Sequence, residues 1–423
     1  MVSICFYFHV HQPHRLGKYG VLDFGEHTNY FDEQKNREIM HKVTKKCYLP
    51  TNKLLLDLIK KHDGKFKISF SITGTVLEQM EKYAPEALES FKELVKTGHV
   101  DIVGETYHHS LAYIFSKDEF KEQVKLHEKK IKDTFGIKPK VFRNTELIFN
   151  NELAKFIEDM GYEAILAEGA DHILQGRTPN HIYKSVFANK IKLLLKNYKL
   201  SDDIAFRFSN KGWPEHPLTV NKYSNWINSV NGSGELINLF MDYETFGEHQ
   251  WEDTGIFEFM KHLPEELLKH PHNEFLTVRE AAKKYPVRDE IDAHNFVSWA
   301  DLERDLTAWL GNPLQDTAMQ SLYKLEKFVK DSGDTELLRD WRYLTTSDHA
   351  YYMCTKWFND GDVHKYFSPY DSPYDAYIIF MTVLNDFSRR LHQIRHKNKN
   401  KDTVFTYEIK ERPEELLLEK TTN

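Results

Sequence analysis

Two acidic segments of the chain carry residue types that can break a bond. They are Phe142-Arg143-Asn144-Thr145-Glu146-Leu147 and Met241-Asp242-Tyr243-Glu244-Thr245-Phe246-Gly247. Each follows an apolar run with the character of a buried strand: Lys138 to Val141 before the first, Leu236-Ile237-Asn238-Leu239-Phe240 before the second. A carboxylate at the C-terminal end of a barrel strand points into the barrel mouth, where the sites of such folds lie. Two carboxylates from two strands can face one bond from opposite sides, one as nucleophile and the other as general acid and base. Cleavage of a glycosidic bond requires that division of labour. Taken singly, each acid is better read as a strand-end residue capping a neighbouring helix; the surrounding motifs change the reading. The first strand runs into His9-Val10-His11-Gln12-Pro13-His14, and a third ends Val103-Gly104-Glu105-Thr106-Tyr107-His108-His109. Four strands therefore deliver polar residues to one rim, while the strand ends of the opposite rim look plain.

The elements that must position these residues can be read from hydrophobic patterning. Short apolar strands are expected near residues 3–8, 66–72, 99–103, 139–143, 163–167, 191–196 and 236–241, alternating with helical stretches. Asn150 and Asn151 precede Glu152-Leu153-Ala154-Lys155-Phe156-Ile157, and Gly161 ends that helix, so its start and stop signals are both present. Alternation of this kind implies parallel strands with crossover helices, either a barrel or a doubly wound sheet. No GxGxxG or P-loop follows the first strand, which weakens a nucleotide-binding reading. The polar strand ends favour a barrel. From about residue 254 the pattern turns helical, with periodic apolar spacing over Leu302 to Trp309, Thr317 to Lys330, Glu336 to Leu344 and Tyr374 to His396. The expected layout is a barrel over 1–255, a helical region over 256–396 and a tail over 397–423 that begins Lys397-Asn398-Lys399-Asn400-Lys401.

Composition excludes several function classes. A chain of 423 residues that is 40% apolar can bury one large core and an appended region. A net charge of −7, with lysines interleaved among glutamates, argues against a nucleic-acid partner. Cys5, Cys47 and Cys354 are odd in number and far apart, so neither a disulfide framework nor a cysteine zinc site is expected, and a reducing, cytoplasmic compartment fits. Met1-Val2-Ser3 leads straight into a strand with no signal-peptide pattern, and no apolar run reaches the roughly 20 residues of a membrane helix.

Five motifs in order make the chain resemble glycoside hydrolase family 57, whose members are α-amylases, 4-α-glucanotransferases and branching enzymes. They are His11-Gln12-Pro13, Gly104 to His109, Phe142 to Glu146, Asp242 to Gly247, and Ser298-Trp299-Ala300-Asp301 running to Ala308-Trp309-Leu310-Gly311-Asn312. The tripeptide alone is weak; five in sequence are specific. The resemblance implies an incomplete seven-stranded (β/α)7 barrel, a C-terminal helical region that helps close the cleft, and a retaining mechanism on α-glucans. Glu146 matches the family's nucleophile and Asp242 its general acid/base. Retention needs the two carboxyls about 5–5.5 Å apart, and Asp242 protonated before cleavage. Burial against Phe240, Tyr243 and Phe246 and the charge of Glu146 would raise its pKa. Arg143 is expected near Glu146, although its strand parity is opposite. His9, His11, Glu105 and His109 are candidates for binding sugar hydroxyls, and Trp251 and Trp299 for stacking, with packed core residues as the plain alternative. Trp309 reads as core, and Glu244 either orients the site or pairs with a lysine.

Three rivals remain in view. His9-Val10-His11 on a first strand is how some metal-dependent hydrolases and deacetylases begin a metal site, with His108, His109, Asp242 and His249 as recruits. That reading leaves Glu146 and the fifth motif unused, and we expect neither metal nor cofactor. A non-catalytic glucan-binding protein would have lost a carboxylate. Within the family, a chain of this length fits an α-amylase-like hydrolase of α-glucans and maltooligosaccharides, with a 4-α-glucanotransferase using the same residues as the alternative.

Overall fold

The computed structural model describes residues 2–356, 364 and 368–399. Its strands are β1 (Val2–Val10), β2 (Ile68–Ile72), β3 (Val100–Ile102), β4 (Val141–Arg143), β5 (Ala164–Glu168), β6 (Ile182–Ser185), β7 (Lys192–Lys196), β8 (Leu236–Asp242), β9 (Asn273–Phe275) and β10 (Asp289–Ile291). One sheet has the order β3-β2-β1-β8, with β9 also on β1; the other runs β10-β6-β7-β5-β4. All pairings are parallel except β6 with β7. The sheets meet where Gly104 bridges Phe142, the Gly104 amide donating to the Val141 carbonyl at 2.8 Å. At the other seam no ladder joins β7 to β8 among the described residues. There the Asn238 side-chain amide donates to the Leu195 carbonyl at 2.9 Å. β1 to β5 with β7 and β8 thus form an incomplete (β/α)7 barrel, and a C-terminal helical region follows it.

Strand parity explains which residues reach the interior. Side chains alternate across a strand, and β1 is buried along its whole length because both faces are covered. Ile4, Phe6, Phe8 and Val10 pack outward against the crossover helices in one core cluster. Cys5 and Tyr7 point inward with Val141, Ala164, Leu166, Leu194 and Phe240 and plug the barrel. His9 continues the inward series. In register it lies directly opposite Asp242 on β8 and Ser71 on β2.

The helical region packs on the other sheet through a third apolar cluster that includes Phe142, Ile165, Trp309 and Trp341. A buried ion pair ties it to the helix Lys117–Phe135: Arg342 Nε and Nη2 donate to the two Glu119 oxygens at 2.8 and 3.1 Å. The helix expected over Leu302 to Trp309 is only the turn Thr307–Leu310; residues 301–306 form a loop in which Asp301 and Arg304 have positive φ. The last helix runs from Pro373 to Lys399, so it continues three residues into the tail expected from 397; the rest of that tail, 400–423, lies outside the described residues. Among the described residues, no helix is long and apolar enough to cross a membrane.

Candidate active site

A cleft of about 620 Å³ opens at the C-terminal ends of the strands, between the barrel and the helical region. Both carboxylates line it, with His9, His11, His109 and Glu244 from the barrel and Trp299, Arg304 and Asp348 from beyond it.

Glu146 reaches the cleft through an unusual backbone turn. β4 ends at Arg143, and residues 145–147 form a single tight turn in which Glu146 has φ 57° and ψ 26°. The left-handed conformation swings the side chain back toward the interior, so its strand parity no longer governs its direction. Its carboxylate is held from both sides: His109 Nε2 lies 2.9 Å from Oε1, and the Trp299 indole N–H donates to Oε2 at 2.7 Å. The Trp299 backbone N–H also donates to the Glu146 carbonyl at 3.2 Å. Burial pushes the Glu146 pKa up, but His109, Arg143 and the Trp299 indole outweigh it and hold the carboxyl below its ordinary range. An ionised carboxylate pinned by two donors is suited to act as a nucleophile or as a stabiliser of positive charge.

Beneath the cleft Arg143 is fully buried and organises the floor. Its Nη1 donates to His9 Nε2 at 3.1 Å and lies 3.3 Å from His109 Nδ1 and 3.6 Å from Glu105 Oε2. Its guanidinium stands 5.0 Å from the centre of the Trp299 ring, a cation–π contact that fixes the indole from below. Arg143 therefore acts on Glu146 through charge and through the two residues that bond it, with no direct ion pair among the described contacts. The His109 pKa is lowered by burial and raised more strongly by Glu105 and Glu146, ending pushed up to about 9.

Asp242 departs from expectation. Burial does push its pKa up, but the hydrogen bond and charge of His9, then His249 and Arg143, override that and leave it below the ordinary value. His9 Nδ1 is 3.4 Å from Oδ1, because the β1–β8 register sets the two residues side by side. The raised carboxyl is instead Glu244, pushed up to about 7 by burial and by the charge of Asp242, although Tyr48 donates to it at 2.6 Å and Gln12 at 3.2 Å. No ion pair joins it to a lysine among the described residues.

Two further expectations are corrected. Glu105 does not face the cleft: it is wholly buried beneath His9 and His109, where those histidines and Arg143 overcome burial and hold it well below the carboxylate range. Trp251 does not line the cleft either. The chain turns at Gly247, with φ 100° and no room for a Cβ beside the Lys46 carbonyl, and this carries Trp251 to the surface, 58% exposed under the Lys46 ammonium. Trp309 is 1% exposed and sits in the core cluster, yet it also borders the cleft. His11 lines the cleft between Thr73 Oγ1 at 2.9 Å and Asp348 Oδ2 at 3.0 Å.

Sequence reasoning passed over Lys196, Arg304 and Asp348. Lys196 ends β7, so the rule that flagged the other strand ends would have found it. Asp348 lies on the short helix Ser347–Tyr351, where no periodicity distinguishes a cleft residue from a surface one.

The family model for glycosyl hydrolase family 57 matches residues 5–294. The chain belongs to this family. A Methanocaldococcus jannaschii protein that carries a provisional alpha-amylase name is 45% identical over 96% of this chain and 89% of its own length. Alpha-amylase 1 of Dictyoglomus thermophilum is 24% identical over 50% of this chain, which spans only 30% of that protein. Among solved structures, the family 57-type branching enzyme of Pyrococcus horikoshii superposes with a TM-score of 0.68 at 15% identity, over 96% of this chain and 92% of that one. The 4-alpha-glucanotransferase of Thermococcus litoralis gives a TM-score of 0.58 at 16% identity, over 95% of this chain and 60% of that one. At such identities the family 57 likeness in structure is one of fold.

Proposed function

We propose that this family 57 protein is a retaining glycosidase that cleaves α-1,4-glucosidic bonds in starch- or glycogen-type glucans and maltooligosaccharides. Glu146 attacks the anomeric carbon, and Asp242 protonates the leaving oxygen and then activates the incoming hydroxyl. The observation that carries the reading is the Glu146 carboxylate, turned into the cleft by a left-handed residue and gripped by His109 and Trp299. Barrel residues within 1–255 supply both carboxylates, and the helical region within 256–396 closes the cleft with Trp299 and Asp348. Asp242 takes up its proton only with substrate bound: a sugar in the cleft excludes water and competes for His9, removing what holds the carboxyl down. Water as acceptor gives hydrolysis; a glucan hydroxyl in its place gives 4-α-glucanotransfer on the same residues.

The test uses α-glucosyl fluoride, whose leaving group needs no proton. Asp242→Ala still forms the glycosyl-enzyme, and azide releases it as the α-azide from the face the acid vacated. Glu146→Ala forms no such intermediate, and azide entering from the nucleophile's side gives the β-azide. Equal behaviour of the two variants, or an inverted first product from the wild type, sinks the assignment. A product profile from maltoheptaose, with reducing ends counted over time, separates hydrolysis from transfer.

A further inference from the structure

Three side chains on the cleft floor bring metal-ligating atoms together. His11 Nε2 and Asp348 Oδ2 are 3.0 Å apart, and the His109 ring centre lies 4.2 Å from that of His11. One ligand atom from each of the three lies within 4.8 Å of the other two. Ligands about 2.1 Å from a shared tetrahedral ion stand roughly 3.4 Å apart, so small side-chain rotations suffice. Each histidine is also buttressed on its other nitrogen, His11 Nδ1 by Thr73 Oγ1 at 2.9 Å and His109 Nδ1 by Glu105 Oε2 at 3.4 Å. Outer partners of that kind fix the ring and aim its free nitrogen at an ion. All three residues border open space, which leaves a coordination position toward solvent. A second trio, His9, Glu105 and His109, shares one member. It is the poorer host: Arg143 Nη1 stands 3.6 Å from Glu105 Oε2, so a dication there would meet a fixed guanidinium.

We propose that His11, His109 and Asp348 bind one divalent transition ion of the Zn²⁺ type, and that this ion shuts the active site. Two imidazoles, one carboxylate and an open position suit Zn²⁺ and its neighbours, whereas Ca²⁺ and Mg²⁺ take oxygen shells. An ion on His109 Nε2 displaces the proton now facing Glu146 Oε1, which passes to solvent. Glu146 loses one of its two grips, and the ion occupies the floor on which a sugar would rest. The inhibitory half rests on the proposed role of Glu146; the binding half does not.

Chelator-treated protein is titrated with Zn²⁺ by calorimetry and with Co²⁺ by visible absorption, while turnover of a maltooligosaccharide is followed in parallel. The expected result is one ion per chain, a histidine-ligated Co²⁺ spectrum, and Zn²⁺ inhibition reversed by chelator. Asp348→Asn and His11→Gln, checked for folding by circular dichroism, each weaken Zn²⁺ binding by at least about tenfold. Thr73→Val, which keeps all three ligands, weakens it by about tenfold. Absence of stoichiometric binding, or binding undiminished in the Asp348→Asn and His11→Gln variants, overturns the site. Stoichiometric binding with turnover unaffected overturns the inhibition. Binding as described in a protein that cleaves no glucan supports the site and refutes the function proposed above.

Discussion

Removing one atom group from Trp299 tests how the nucleophile is held. Trp299→Phe keeps an aromatic ring between Arg143 and Lys196, whose charged groups lie 5.0 and 5.4 Å from the indole centre, but deletes the N–H that donates to Glu146 at 2.7 Å. A hydrogen bond to a charged group contributes about 1.5–3 kcal/mol, so kcat/KM should fall by about 10- to 150-fold if the bond is maintained in the transition state. The sign of the pH effect follows from the same contact. The indole favours the ionised carboxyl, so its loss raises the Glu146 pKa and moves the acid limb of kcat/KM to higher pH. Stability follows the same linkage. A carboxyl held low in the folded state contributes stability above its unfolded pKa and loses it as pH falls through the folded value. The variant should therefore be less stable than wild type at neutral pH, with the gap narrowing in acid. Initial rates across pH on a maltooligosaccharide, with melting curves in the same buffers, measure both. An acid limb that stays in place while kcat/KM falls would refute the reasoning, because the indole would then matter only as packing.

Other consequences are read more simply. Glu244→Gln removes a carboxyl that stays neutral up to about pH 7; stability from a raised carboxyl is present below its unfolded pKa and lost as pH rises through the folded one. The melting temperature of Glu244→Gln relative to wild type should accordingly climb between pH 5 and 8, by an amount corresponding to about 3 kcal/mol at most. A flat difference over that range tells against the raised pKa. Arg342→Met leaves buried Glu119 without its bidentate partner, with Lys330 Nζ at 2.8 Å and the Gln123 amide at 3.0 Å still facing it. Because those partners remain, urea unfolding should show a loss of about 1.5–3 kcal/mol, that of a hydrogen bond to a charged group, and a loss under 1 kcal/mol would mean the pair does not hold the helical region to the barrel. Dialysis against a chelator should leave turnover undiminished; complete loss restored by zinc alone would favour a metal-dependent hydrolase.

The sequence made the barrel legible because most of its strands are buried on both faces and read as short, largely apolar runs, even where Ser69 and Ser71 interrupt β2 and Asn238 interrupts β8. The seven runs expected from patterning are β1 to β5, β7 and β8. β6, β9 and β10 escaped because each is only three or four residues long; β10 lies at a sheet edge with the first two residues of Asp289–Ile291 exposed, and β6 mixes Tyr183, Lys184 and Ser185 into Ile182–Ser185. The helix expected from Leu302 failed for a local reason. Ser298 captures the Asp305 carbonyl and Arg304 salt-bridges to buried Glu168, so side chains hold residues 298–305 in a loop and Leu302 projects into solvent. Residue types at strand ends located Glu146 and Asp242 at the cleft, and Arg143 beside Glu146 pointed to an ionised carboxylate there, but the direction of the Asp242 shift and the contacts that grip Glu146 were not legible. Those depend on cross-strand register, which sets His9 beside Asp242, and on the turn that brings Glu146 between His109 and Trp299. Asp348 enters from a helix over 300 residues after His11, and nothing in the chain between announces that meeting.

Glu146 occupies a backbone conformation that glycine adopts at no steric cost. The side chain proposed to do the chemistry is therefore one the fold tolerates under strain, and deleting it relaxes the turn. Glu146→Gly should melt above Glu146→Ala, and the two melting curves decide it. Such a variant would be a sturdy scaffold with a vacant pocket on the nucleophile's side. Supplied with a β-glucosyl fluoride, which imitates the missing intermediate, and a maltooligosaccharide acceptor, it would join sugars through α-linkages that it could no longer cut. The left-handed turn makes this chain a starting point for a catalyst that builds glucans.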